Sequence, residues 1–174
     1  PSPVGEMYSN NYTLSSGFLG QAITIEFRGN KLMASDGQES ATFGRSLAMS
    51  GDYIVIGSSH DDNDNGVDAG AAYIFKRSGN DWIEQCKIIA NDGAENDVFG
   101  HAIAIEGDYA VIGAPWTDDH GAESGAAYIF KRDGTNWIQQ AKLTASDGGV
   151  DNRYGISVAI SGDYVLVGAF FEIG

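Results

Sequence analysis

Apolar positions in this chain alternate with polar ones in short runs closed by glycine. The segment "FGHAIAIEGDYAVIGAPW" at 99–116 shows the pattern: an alternating run, a Gly-Asp step, then a second apolar run ending in glycine. A period of two is the mark of strands, and helical periodicity is absent throughout.

The phrase returns as "FGRSLAMSGDYIVIGSS" at 43–59 and as "YGISVAISGDYVLVGAF" at 154–170. Phe43-Gly44, Phe99-Gly100 and Tyr154-Gly155 stand 56 and 55 residues apart, as do the Gly-Asp-Tyr steps at 51–53, 107–109 and 162–164. Trp82 recurs as Trp137, and Lys31-Leu32 as Lys87-Ile88 and Lys142-Leu143. The odd residue falls in the polar stretch between Gly57 and Ala71, against Gly113 to Ala126, where a loop absorbs length changes.

Each copy predicts four short strands, in the middle copy at 99–105, 109–114, 126–131 and 137–145. "EGDY" places Gly where a type II′ hairpin needs it, and "RDGTNW" reads as a longer glycine-containing turn. The strands are apolar on both faces, and the small Ala102, Ala104 and Ala159 suit a crowded inner strand. Stacked four-stranded units of this length predict an all-β fold: antiparallel blades of a β-propeller, two complete blades flanked by half blades.

The expected division is an N-terminal segment 1–21, a half blade 22–34 supplying strands three and four, blades at 35–90 and 91–145, and a half blade 146–174 supplying strands one and two. In the first half blade, "AITIEF" is followed by a turn at Gly29-Asn30 and the fourth-strand phrase "KLMAS". Edges bearing Ile23, Ile25, Val165 and Val167 need covering, by further chain or by another subunit. Closure into a three-bladed ring is disfavoured, because so few wedges would have to splay too widely.

Composition narrows the function. With 24 Asp plus Glu against 10 Lys plus Arg the formal charge is −14, which repels nucleic acid and anionic membrane and favours a cation, a basic partner or simple solubility in a salty medium. No apolar run approaches the length of a membrane span. Cys86 is the only cysteine, so no internal disulfide forms. The opening "PSPVGEMYSNN" lacks an initiator Met and a signal-peptide layout, as a processed or excerpted chain would. Asn11-Tyr12-Thr13 is a glycosylation sequon, meaningful only in a secreted eukaryotic chain.

The copies resemble the FG-GAP repeat of integrin-α-type β-propellers, with "FG…VIGAP" at 99–115 and weaker forms at 43–59 and 154–170. The resemblance covers about residues 31–170. It implies a non-catalytic module for adhesion or for protein or carbohydrate recognition, extracellular or at the cell surface. A structural building block joined to copies of itself through the half blades is the alternative. Many members carry a calcium loop between the FG and GAP strands. Here that connection is only "SGDY" or "EGDY", too short to wrap six to eight oxygen ligands, so the copies are similar to the calcium-free variety.

Antiparallel topology sends the loops between strands two and three to the same end as the interblade loops. Fourteen of the 24 acidic residues lie in those loops. Acids there either cap backbone N–H groups or form a binding face. The candidate ligand face comprises Asp92, Asp97, Trp116, Asp118, Asp119 and Glu123. Trp116 has no aromatic counterpart in the parallel loop, so it either stacks on a ligand or packs over the neighbouring blade. "DDNDNGVD" opens like an EF-hand, making Asp61, Asn63, Asn65 and Asp68 the candidate ligands for a weakly bound Ca²⁺. The later bidentate Glu is missing, since Ala72 stands six residues after Gly66. His60, His101 and His120 lack partners at metal-ligand spacing, and no catalytic constellation is evident.

Overall fold

The computed structural model describes residues 10–14, 23–27 and 31–170. The chain divides into two compact units, Pro1–Leu32 and Met33–Gly174. Every described element is a strand or a turn, as the alternation predicts.

In the first unit, β1 (Asn10–Leu14) pairs antiparallel with β2 (Ile23–Phe27), with Tyr12 opposite Ile25 and Asn11 opposite Glu26. The strand expected at 22–27 is therefore present, but its partner precedes it in the chain. Gly29 and Asn30 lie outside the described residues, and 31–34 belong to no strand. The "KLMAS" phrase ends instead in a side-chain tether within the second unit. Ser35 donates through its amide (2.8 Å) and its hydroxyl (2.7 Å) to the Glu84 carboxylate.

The second unit contains two four-stranded antiparallel sheets. The first is β3 (Phe43–Ser50), β4 (Tyr53–Ser58), β5 (Ala71–Ser78) and β6 (Asp81–Ile88), hydrogen-bonded in chain order. The second is β7 (Ala102–Glu106), β8 (Tyr109–Ala114), β9 (Ala126–Asp133) and β10 (Asn136–Leu143), in the same order. Then β11 (Ser157–Ser161) and β12 (Tyr164–Gly168) form a two-stranded sheet. These are two blades and the first half of another.

Local sequence explains the hairpins. Ser50 pairs with Tyr53 across Gly51-Asp52, and of these two only Gly51 has positive φ (56°), the type II′ signature. Gly107 (φ 56°) and Gly162 (φ 54°) repeat it. The β5–β6 and β9–β10 turns are equally tight, with Ser78 opposite Asp81 and Asp133 opposite Asn136. The longer turn expected at "RDGTNW" is thus a two-residue hairpin, because Gly134 (φ 63°) also takes the first central position. Asp52 and Asp108 accept ion pairs from Arg77 and Arg132, tying each Gly-Asp turn to its own third strand.

The core lies between the blades. Tyr53, Val55, Ala72 and Ile74 of the first blade pack against Ala110, Ile112, Tyr128, Phe130 and Trp137 of the second, with Phe99 in the seam. Phe99 meets Tyr128 edge-on at 5.5 Å, and Trp137 meets Tyr53 at 6.1 Å. Central strands are therefore apolar on both faces, and burying one side chain such as Val55 contributes about 1.5–3 kcal/mol.

The repeated glycines make that stacking possible. A Cβ on Gly57 would overlap the Gly100 carbonyl oxygen, and one on Gly113 would overlap that of Gly155. Gly100 (φ 90°) and Gly155 (φ 95°) also press on the Ala71 and Ala126 carbonyls of the preceding blade. So the "FG" glycine of one copy seats on the "VIG" glycine of the copy before it, backbone against backbone. Gly44 shares this backbone conformation (φ 92°), but nothing described lies within 4 Å of its Cβ position. Gly44→Ala should then cost only the left-handed penalty of about 1–2 kcal/mol. Gly100→Ala should add an overpacking cost of about 1–3 kcal/mol. Urea midpoints measured at micromolar protein should rank the two variants in that order.

Candidate functional site: the loop face

Two kinds of loop meet at the end of the blades opposite the Gly-Asp turns. The β4–β5 loop (59–70) and the interblade loop (89–101) run side by side and bond through their backbones. Asn96, Val98 and Phe99 donate to Val67, Asp68 and Ala69 at 2.9, 3.2 and 2.9 Å. Asp151, Arg153 and Tyr154 donate to Ala122, Glu123 and Ser124 at 2.9, 2.9 and 3.0 Å in the next copy. The ladder forces left-handed backbone on non-glycine residues. Asp68, Asn96 and Val98 have φ of 51°, 67° and 59°, and their counterparts Glu123, Asp151 and Arg153 have 53°, 62° and 50°. A β-branched Val98 there is costly, so packing over-determines the loop.

Acid side chains finish this backbone accounting. Asp62 Oδ1 accepts the Asp68 amide at 2.9 Å, and Asp118 Oδ1 accepts the Glu123 amide at 2.8 Å. Asp97, buried at 7% exposure, accepts the Ala94 amide at 2.7 Å. Burial, followed by repulsion from Asp118 and Asp119, raises its pKa.

The remaining buried acid is held by lysine. Asp61 is fully buried, and Lys87 Nζ stands 2.7 Å from its Oδ1 and 2.8 Å from Asp36 Oδ2. The ammonium lies 5.3 Å from the Tyr73 ring centre, and the Tyr73 hydroxyl sits between Asp36 Oδ1 (2.6 Å) and Asp61 Oδ2 (2.7 Å). Lys87 and then Tyr73 hold the Asp36 carboxyl below its ordinary pKa. Burial works against the Lys87 ammonium, yet the two carboxylates outweigh it and raise its pKa. The second blade repeats the clamp, with Lys142 Nζ 2.8 Å from Asp92 Oδ2, 2.7 Å from Asp119 Oδ2 and 5.5 Å from the Tyr128 ring centre. Its backbone counterpart of Asp61 is Thr117, which accepts from Gly125 as Asp61 accepts from Gly70. The acid has moved to Asp119, in the shortened loop.

The four candidate calcium ligands do not form an oxygen cage. Both Asp61 oxygens are engaged by Lys87 and Tyr73, so an ammonium already occupies the cation position. Asn63 and Asn65 turn their amide N–H groups to the Gly70 (2.9 Å) and Ala90 (2.7 Å) carbonyls, which closes the loop. Asp68 lies in the strained ladder. The residues present do not fit Ca²⁺, and the alternating acid-amide pattern is loop architecture.

The candidate ligand face is spatially coherent but largely engaged. Asp92, Asp97, Asp118 and Asp119 serve the clamp and the caps just described. Trp116 is half-buried, 5.0 Å from the His101 ring and 5.5 Å from the Arg153 guanidinium. Arg153 in turn bonds Glu123 Oε2 through Nε (3.0 Å) and Nη2 (2.6 Å). Trp116 therefore packs at the seam to the next copy. His60 lies 3.1 Å from the Thr42 hydroxyl, and His120 lies 3.2 Å from that of Thr144. Burial pushes the Cys86 thiol up to about 11. The residues that organise the site, Lys87, Lys142, Tyr73, Tyr128 and Asp36, had one signal in the sequence: the lysines and tyrosines hold the repeat spacing, and Asp36 recurs as Asp92 and Asp147 in "ASDG", "ANDG" and "ASDG". An open depression of about 380 Å³ remains on this face, lined by Asp36, Gln38, Asp62, Asn63, Asp64 and Lys87.

Stacked four-stranded blades joined through FG and VIG glycines define a β-propeller type of repeat. The sequence matches the FG-GAP repeat over residues 28–75, 82–130 and 137–173, and the chain belongs to this family. A search of curated proteins finds no match to it. FG-GAP repeats are generally non-enzymatic and typically occur in extracellular proteins. Among the described residues no helix is long and apolar enough to cross a membrane.

Removing one clamp should cost more than removing the other. Lys87→Met strands the fully buried Asp61 carboxylate, a loss of about 3–5 kcal/mol. Lys142→Met strands Asp92 and Asp119, whose side chains are 51% and 31% exposed and recover water, so a smaller loss is expected in urea titrations. Asp97 gives the opposite sign. A carboxyl with raised folded pKa favours folding below the unfolded value near 4 and loses that contribution as pH rises through the folded value. Asp97→Asn, which keeps an acceptor for Ala94, should melt above the parent at pH 7, with the difference closing as pH falls toward 4.

Proposed function

We propose that the chain is a non-catalytic recognition segment of an extracellular or cell-surface protein, binding a basic protein ligand through the acidic loop face. One observation carries the reading: the loops are held rigid from within, while Asp62, Asp64, Glu95, Asp118, Asp147 and Asp151 remain exposed on the same face. A backbone ladder and two lysine clamps pre-organise the surface, so little ordering entropy is lost on binding. The depression beside Asp62 and Asp64 offers a seat for a lysine or arginine side chain. Acids of one sign on a fixed surface steer a cationic partner and repel nucleic acid. A non-catalytic role is supported by the family, whose repeats are generally non-enzymatic. Calcium has no part in this reading, because Lys87 holds the carboxylates a metal would need.

Decalysine serves as the probe, followed by fluorescence anisotropy at low ionic strength. Asp64→Lys, Asp147→Lys and Asp151→Lys combined should weaken binding at least about tenfold, each exposed ion pair contributing up to ~1 kcal/mol. Salt should abolish the difference. Reversal of Asp81, Asp133 and Asp163 at the turn end should have little effect. Equal loss from either set would mean that only net charge matters and would overturn the assignment to the loop face.

A further inference from the structure

The same interblade contact recurs within the second unit, and each of its halves also occurs once with no partner among the described residues. Val55 on β4 and Val111 on β8 are 0% exposed under the following sheet, whereas Leu166, the equivalent position on β12, is 71% exposed. Tyr53 is 8% exposed and its counterpart Tyr164 is 77% exposed. The opposite half shows the same contrast. Ile105 on β7 is 8% exposed against the preceding blade, while its counterpart Met49 on β3 is 64% exposed and the neighbouring Leu47 is 68% exposed.

The glycines report the same vacancy independently of the apolar side chains. Gly57 and Gly113 each carry the carbonyl of the next FG glycine over their Cα, but at the equivalent Gly168 the three atoms nearest its Cβ position all belong to its own sheet partner Ser157. Gly100 and Gly155 press on the preceding blade, but the equivalent Gly44 meets nothing within 4 Å among the described residues, although it holds the same left-handed conformation. A hydrogen bond marks the junction: Ser46 Oγ, beside Gly57, donates to the Gly100 carbonyl at 2.7 Å. Ser157 stands against Gly168 as Ser46 stands against Gly57.

We infer that the β11–β12 face of one copy receives the β3 face of a second copy, head to tail, repeating between molecules the contact that joins the blades within one. Leu47 and Met49 of the incoming copy cover Tyr164 and Leu166, the Gly44 carbonyl seats on Gly168, and Ser157 Oγ donates to it. The occupant is a second copy because one chain presents both complementary halves, matched position by position to a junction it already contains. Such a contact is heterologous: each added copy leaves one half free, so growth continues unless the ring closes. With −14 formal charge per chain, copies repel one another and added salt promotes association. Binding of a basic ligand at the loop face has the opposite salt dependence, so the two proposals stand or fall separately.

Sedimentation of the whole 174-residue chain from about 10 µM to about 1 mM, a span that covers weak contacts, tests this. Species larger than a dimer should accumulate with concentration and with salt. Leu47→Glu and Leu166→Glu alter exposed positions, so each variant should melt like the parent yet remain monomeric. Mixed in equal amounts, the two should form a dimer that grows no further, since one retains each intact half. A parent that stays monomeric to the highest concentration overturns the proposal. So does association that survives both substitutions, or a mixture that remains monomeric.

Discussion

The structure depends on two backbones touching where no side chain can intervene. At each junction the carbonyl of an FG glycine lies over the glycine of the preceding "VIG" strand, in space that a Cβ there would fill, and a Cβ on the FG glycine would meet the Ala71 or Ala126 carbonyl. This contact sets how closely the inner strands approach. Because neighbouring sheets come that close, the valines and isoleucines of the central strands are buried on both faces, and Phe99 can wedge into the seam. A blade isolated from its neighbours would expose the apolar surface that folding has to bury, so the junction is the unit of stability.

The loops answer to the same geometry. Once adjacent sheets are seated, the β4–β5 loop and the interblade loop are brought alongside, and their N–H and C=O groups must pair. Pairing in a parallel ladder strains Asp68, Val98 and their counterparts into positive φ. Aspartates accept the amides that turn away from the ladder, and Lys87 and Lys142 neutralise the acids that face inward. A surface with many carboxylates therefore contains two distinct populations. One holds the loops from within, and the other is exposed to solvent, with Asp62 and Asp118 belonging to both.

The two blades solve the internal charge problem with different residues. In the first, the clamp uses Asp61 from the deep position of a longer loop, buried beneath Tyr73. In the second, the loop is one residue shorter, Thr117 takes the deep position, and Asp119 reaches the lysine from a more exposed place. The lysine and the tyrosine beneath it stay constant while the acid moves. The ammonium over the aromatic ring is thus the fixed feature, and the loop supplies a carboxylate from whichever position its length allows.

Strand number and order in the two complete blades, and the Gly-Asp hairpins, were legible in the sequence, because alternation and Gly-Asp steps act over a few residues and three copies in phase confirm one another. The acidic loop face was legible too, since topology alone sends those loops to one end. What the acids do was not legible. Asp61, Asn63, Asn65 and Asp68 have the spacing of a cation cage, and spacing carries no information about a lysine two strands away. Trp116 stands out as an unmatched aromatic, yet its neighbours His101 and Arg153 come from two different interblade loops. β2 pairs with β1, which precedes it, rather than with the phrase that follows it, a choice that alternation leaves open. Sequence by itself determined the local geometry, through φ preferences and side-chain alternation. Only the tertiary structure decided which charges are spent inside the fold, because a buried carboxylate must find its counter-charge wherever packing places one.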